Sequence, residues 1–176
     1  MAALCALFLT NCQKELDTLT ADSTPTPALA SGNGIFFPDQ YCGASVSADL
    51  SHDNVQKGEV TLVNNNSDLY LAFQLNQGIF IEGIFAEFET ASNAPTNAEG
   101  DLLLEEFDYT IAVSGSSQYT LVVPLTSIPN CNDLLLSVTV SERNMFGQVT
   151  STYQLWVDGT DYLNGFYLPH CIQSCN

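Results

Sequence analysis

From Gly58 to Val157 the apolar residues alternate with polar ones instead of recurring every third or fourth position, which is the period of half-buried strands and not of helices. Val60-Thr61-Leu62-Val63 runs into Asn64-Asn65-Asn66-Ser67-Asp68 and then into Leu69-Tyr70-Leu71-Ala72-Phe73-Gln74-Leu75. Two β-rich runs joined by strong turn formers predict a hairpin. Gly78 opens a long run from Ile79 to Glu89, in which Ile79 and Ile81 share one side while Ile84, Ala86 and Phe88 follow a shifted register. Gly83, lying between the two sets, marks a β-bulge and a bent strand. Further runs at 107–113, 119–125, 134–140 and 150–157 are separated by Ser114-Gly115-Ser116-Ser117, by Pro129-Asn130 and by 144–147. No stretch beyond residue 34 carries a helical period. The pattern predicts an all-β fold, an antiparallel β-sandwich of about seven or eight strands. The segment 158–176, rich in Gly, Tyr and Asn, is expected to be an irregular C-terminal tail pinned over the sheet by Cys171 and Cys175.

Ahead of this body lies a different kind of sequence. Ala2 to Leu9 is small and apolar, and it leads through Thr10, Asn11 and Cys12 into polar Gln13-Lys14-Glu15-Leu16-Asp17. The run is too short to span a hydrocarbon core, which takes about 20 residues, so it reads as an export leader instead of a transmembrane helix. The competing reading is an apolar strand or helix packed on the domain. Residues 13–34 hold Ser, Thr, Ala, Asp, Gly and the spaced prolines of Thr24-Pro25-Thr26-Pro27, a composition with too little apolar surface to offset its ordering entropy.

Leu9-Thr10-Asn11-Cys12 resembles the lipobox of bacterial lipoproteins, and Lys14-Glu15 with Asp17 is similar to the short charged signals of surface lipoproteins in the Bacteroidota. The resemblance implies cleavage before Cys12, lipidation of Cys12 and attachment of an exported protein to the outer membrane or cell surface. It divides the chain into a signal peptide (1–11), a lipidated cysteine with flexible tether (12–34) and a β-sandwich domain (35–176). The body also looks like an uncharacterised β-domain recurrent in such lipoproteins. The residues that carry this likeness are Gly58, Val60, Leu62, Asn64, Leu69, Tyr70, Leu71 and Gly78, and it implies a fold without implying an activity.

Charge narrows the partners. Three Lys or Arg stand against twenty Asp or Glu, for a formal net charge of −17. Such a chain has no basic face with which to neutralise phosphates, so nucleic acid is excluded as a partner. Attraction of the body to anionic lipid is excluded on the same ground, leaving an acyl anchor as the route to a membrane. Once Cys5 in the leader and Cys12 are set aside, Cys42, Cys131, Cys171 and Cys175 remain. In an exported chain they read as two disulfides, with three connectivities open. A bridge from Cys42 to the middle or the end of the domain closes a loop of roughly 90 to 130 residues, worth about 4 to 5 kcal/mol in the chain-entropy model. The rival reading gathers Cys171, Cys175, His170 and Cys131 around zinc, with loose spacing.

Two stretches are candidates for binding chemistry. Glu89 to Asp108 is crowded with carboxylates, and Asn97, Glu99 and Asp101 form the loop most suited to calcium, although EF-hand spacing is absent. Its bland alternative is a solvated acidic loop, with no cofactor at all. The second candidate is aromatic: Tyr153, Trp156 and Tyr162, interspersed with Asp158 and Asp161, provide rings on which sugars stack and oxygens that accept from hydroxyls. Against that, Trp156 on a strand also fits a core position. Catalysis is not expected. His52 and His170 belong to no triad or metal motif, and carboxylate pairs drawn from Glu82, Glu87, Glu105 and Glu106 are defined only by separation in space. The sequence therefore points to a non-catalytic binding or accessory module for a glycan or an envelope protein partner. A structural subunit packing through its β-edges is the alternative.

Overall fold

Seven strands form where the alternation predicts them, in a computed structural model that describes residues 32–158, 160–162 and 165–175. They are β3 (Val55–Asn64), β4 (Asp68–Leu75), β5 (Ile79–Glu89), β6 (Tyr109–Ser116), β7 (Gln118–Pro124), β8 (Cys131–Arg143) and β9 (Val149–Val157). Four more complete the fold: β1 (Gly32–Asn33), β2 (Cys42–His52), β10 (Thr160–Tyr162) and β11 (Gly165–Cys171). The leader, Cys12 and the tether up to residue 31 lie outside the described residues. Among the described residues no helix is long and apolar enough to cross a membrane.

All pairing is antiparallel, in the order β1-β7-β4-β3-β2-β9-β8-β11-β10, with β5 on the other edge of β8 and β6 beyond it. At one point this continuous sheet is pinched. β2 meets β9 over two residue pairs only, Leu50 with Val157 and Ser51 with Trp156. There the sheet folds over, so that β1-β7-β4-β3-β2 faces β9-β8-β5-β6. The two inner faces share one core, in which Leu62, Leu71, Phe73 and Leu121 from one half meet Ile81, Ile84, Leu136, Val138 and Leu155 from the other. Strict period-two alternation is what allows this, because every second side chain of each strand enters the same layer. β5 keeps both of its apolar sets in the core through a register shift between Ile81 and Gly83. The bulge adds one residue and returns Ile84, Ala86 and Phe88 to the side that Ile79 and Ile81 occupy.

The C-terminal segment is not an irregular tail. β11 runs antiparallel to β8 from Tyr167–Leu135 to Cys171–Cys131, and β10 turns back on it. The reason is length: β8 has 13 residues and β9 covers only Ser137 to Arg143, which leaves an open edge over 131–135 that β11 fills. The disulfides are Cys131–Cys171, joining facing residues of β8 and β11, and Cys42–Cys175, joining residues separated by 133 positions. Of the three open connectivities this selects one and replaces the zinc reading, since both Cys131 and Cys171 are bonded to sulfur. Asn64 ties down the same end by donating to the Gln173 carbonyl and accepting from the Gln173 N–H, each at 2.9 Å.

The second half carries a smaller apolar cluster on its outer side. Leu135 of β8 is fully buried there against Ala94 and Phe107, with Phe85, Leu102, Leu104 and Tyr167 packed around them. Segment 90–108 therefore lies over this part of the sheet as a flap, held by an isolated bridge between Thr96 and Leu102 and by short 3-10 turns at Ala91–Asn93 and Leu104–Glu106.

Candidate functional site

β2 and β3 are joined by the two-residue turn Asp53-Asn54, both left-handed at φ 51° and 60°. This is the backbone of a type I′ hairpin, and Asp and Asn tolerate left-handed φ better than bulkier or branched residues do. The turn sits at the pinch between β2 and β9. It forms one wall of a cleft of about 370 Å³, whose other wall is Gln154, Trp156 and Asp158, with Ser51 and His52 at its base.

Alternation along β9 decides which side chains reach the cleft. Leu155 and Val157 enter the core, while the half-buried Trp156 and Gln154 face outward between β2 and β8. The Ser137 hydroxyl donates to Gln154 Oε1 and holds that amide. Asp158 is fixed by its backbone N–H, which donates to the Asp49 carbonyl at 2.7 Å, and Ser51 Oγ reaches its carboxylate at 3.5 Å. His52 Nδ1 lies 2.9 Å from the Gln154 carbonyl. A carbonyl only accepts, so Nδ1 carries the hydrogen and Nε2 is left 3.5 Å from the Asp53 carboxylate.

Of the aromatic candidates, the structure brings Trp156 and Asp158 together and sends Tyr153 to the opposite side of β9. Tyr153 packs against the core with its ring 4.5 Å from that of His52. Its hydroxyl donates to Glu142 Oε1 at 2.6 Å, and Lys57 Nζ sits 3.2 Å from the same oxygen. That tyrosine bond, followed by the lysine's, lowers the Glu142 pKa, while burial and then the carboxylate raise that of Tyr153. Tyr162 and Asp161 fall in β10, but their side chains lie outside the described residues. Ser51, Asn54 and Gln154 complete the cleft without having been singled out by sequence. The legible signal was Asp53-Asn54 as a left-handed turn; the strand leading into it carries too few apolar residues to announce itself.

In the calcium candidate, Asn97 spends its side chain on the loop. Its Oδ1 accepts the N–H groups of Glu99 at 3.0 Å and Asp101 at 2.8 Å, and its Nδ2 points at the Asp101 carboxylate from 3.2 Å. An amide N–H aimed at the carboxylate occupies the direction a cation would take. Among the described residues no three His, Cys, Asp or Glu side chains converge as a metal site. His170 faces inward opposite Asn132, and burial lowers its pKa.

Of the carboxylates weighed as catalytic pairs, Glu82 and Glu87 are held apart by their strand. Glu82 and Glu87 are five positions apart on β5, about 16 Å at a strand's rise, well beyond the roughly 5 to 9.5 Å that paired carboxylates need. Glu82 is held by the Ser141 hydroxyl and by Arg143 Nη2 at 2.9 Å, and these bonds lower its pKa. Glu87 is buried, accepts the Asp108 N–H at 2.8 Å, and is pushed by that burial up to about 7.

Fold and cleft together define an all-β, disulfide-linked antiparallel domain with a polar, open cleft at the corner where its sheet folds over. Compared with family models, with curated proteins and with solved structures, the chain matches none.

Proposed function

We propose that this domain is a non-catalytic recognition module of the cell envelope that holds a neutral glycan in the corner cleft, presented outside the cytoplasm on a lipid anchor at Cys12. One observation carries the reading. Trp156, half-buried, lines a cleft whose other groups are a hydroxyl, amides, an imidazole and the carboxylates of Asp53 and Asp158. An aromatic surface with acceptors around it suits a ring bearing many hydroxyls. The net charge of −17 favours neutral over anionic ligands. The two disulfides suit an oxidising compartment. A glycan array followed by titration calorimetry tests the site: Trp156→Ala is expected to weaken binding at least about tenfold, the scale of one lost stacking contact of about 1.4 kcal/mol. Equal binding by both proteins removes the cleft from the function. Palmitate labelling of the natural chain against Cys12→Ala tests the anchor, with label on the variant refuting it.

The second reading, a structural subunit joined through β-edges, has its own support. The edge of β2 turned away from β3 over 44–48 and the outer edge of β6 have no ladder partner among the described residues, and neither stretch carries a charge or a proline to discourage pairing. Light scattering after size exclusion separates the two readings, because a concentration-independent monomer argues against assembly.

A further inference from the structure

Glu87 is a carboxyl group in an apolar place. It lies on the outer side of β5, opposite Leu135 in the β8 register and two residues from Phe85, and only 4% of it is exposed. The flap supplies its partner, because the N–H of Asp108 donates to Oε2 at 2.8 Å. The Asp108 carboxylate adds a like charge beside it. Two carboxylates side by side repel, which favours a proton on the buried one.

Every neighbouring element adds the same sign or none. β5 contributes Glu89, and the flap contributes Glu105, Glu106 and Asp108. β8 contributes Asp133, paired in register with Glu89. β6 presents Tyr109, whose hydroxyl bonds Ser127 at 3.0 Å, and β11 presents Tyr167. The described cations are committed elsewhere: Lys57 to Glu142, and Arg143, eight positions along β8 from Leu135, to Glu82. A charge on Glu87 is thus desolvated and surrounded by acids.

We propose that Glu87 is the latch of a pH-sensitive flap. While it holds its proton, residues 102–108 stay closed over Phe85 and Leu135; as the pH rises the proton leaves to solvent, a desolvated charge is left beside the Asp108 carboxylate beneath the flap, and the flap loosens, uncovering an apolar strip. The direction follows from linkage. A carboxyl whose pKa rises from 4.5 unfolded to about 7 folded stabilises the closed state fully below the lower value, and that stabilisation is lost as pH rises through the upper one. Closed in acid and loosened in mild alkali, the flap gives the domain two surfaces from one sequence.

Hydrogen–deuterium exchange of the full chain at about pH 5.5 and about pH 8, corrected for intrinsic rates, reads the latch. Amides of 102–108 are expected to lose about ten- to a hundredfold protection at the higher pH, while amides of β4 keep theirs. Glu87→Gln, which cannot ionise, should hold the flap closed at both. A variant as pH-dependent as the natural chain overturns the proposal, and so does a natural flap indifferent to pH. Should Glu87→Gln fail to fold, Asp108→Asn decides: removing the like charge should move the transition to lower pH, and an unmoved transition refutes the latch.

Discussion

Glu82 and Glu87 share a strand and a face, yet their surroundings drive them in opposite directions. Glu82 sits where β5, β6 and β8 end together, with the Ser141 hydroxyl and the Arg143 guanidinium on its oxygens. Arg143 is itself packed, 4.8 Å over the Phe80 ring. Its space exists because residue 115 is glycine: a Cβ there would come within 2.5 Å of Nη2, at a φ of 58°. Glu87, five positions on, has an apolar flap above it and acids beside it. One carboxyl is paired with a cation and its pKa is lowered; the other is buried without a cation and its pKa is raised to about 7. The lesson concerns placement. A chain with three basic residues cannot neutralise twenty acids, and where it buries an acid without a cation, burial raises that acid's pKa.

The comparison breaks most severely if the flap loses its anchor. Leu135→Ala empties a fully buried position between sheet and flap and is expected to cost about 2 to 4 kcal/mol by urea denaturation, with the Glu87 carboxyl regaining an ordinary pKa as water enters. Glu87→Gln sharpens it. Below about pH 4.5 the variant should match the natural protein, and at about pH 8 it should be more stable by up to about 3 kcal/mol, because only the natural chain then carries a buried charge. Calorimetric midpoints at the two pH values check this. The smallest effect belongs to the other carboxyl. Arg143→Met keeps the packing stem and deletes the charge, so about 0.5 to 1 kcal/mol should be lost near neutral pH, since the Glu82 side chain is 34% exposed. The Glu82 pKa should rise, and its acid-side contribution, present above the unfolded value and lost as pH falls, should shrink; a carboxyl NMR titration reads both.

Seven strands were legible because their inward positions are apolar at period two and their turns are rich in Asn, Gly, Ser and Pro. β2 was not, since Cys42-Gly43-Ala44-Ser45-Val46-Ser47-Ala48-Asp49 is small and polar, and of its strand only Cys42 and Leu50 are buried. It forms because β3 offers it an edge. β11 was hidden by Gly165 and by Pro169, which has no N–H to give to a ladder; the open length of β8 recruits it all the same. Trp156 and Asp158 were visible as candidates. That Tyr153 turns away from them follows from its odd place in the alternation of β9, while the opposite wall of the cleft comes from residues about a hundred positions earlier.

Alternation, turn chemistry and the count of cysteines by themselves determined an antiparallel all-β domain with two disulfides, because strand period and sulfur pairing are local or compositional properties. Only the tertiary structure decided which cysteines meet, where the sheet folds over to make a cleft, and which acid is buried without a cation beside it. Those outcomes depend on contacts between residues far apart in the chain, and dielectric and charge at a site are set by whatever those contacts bring there.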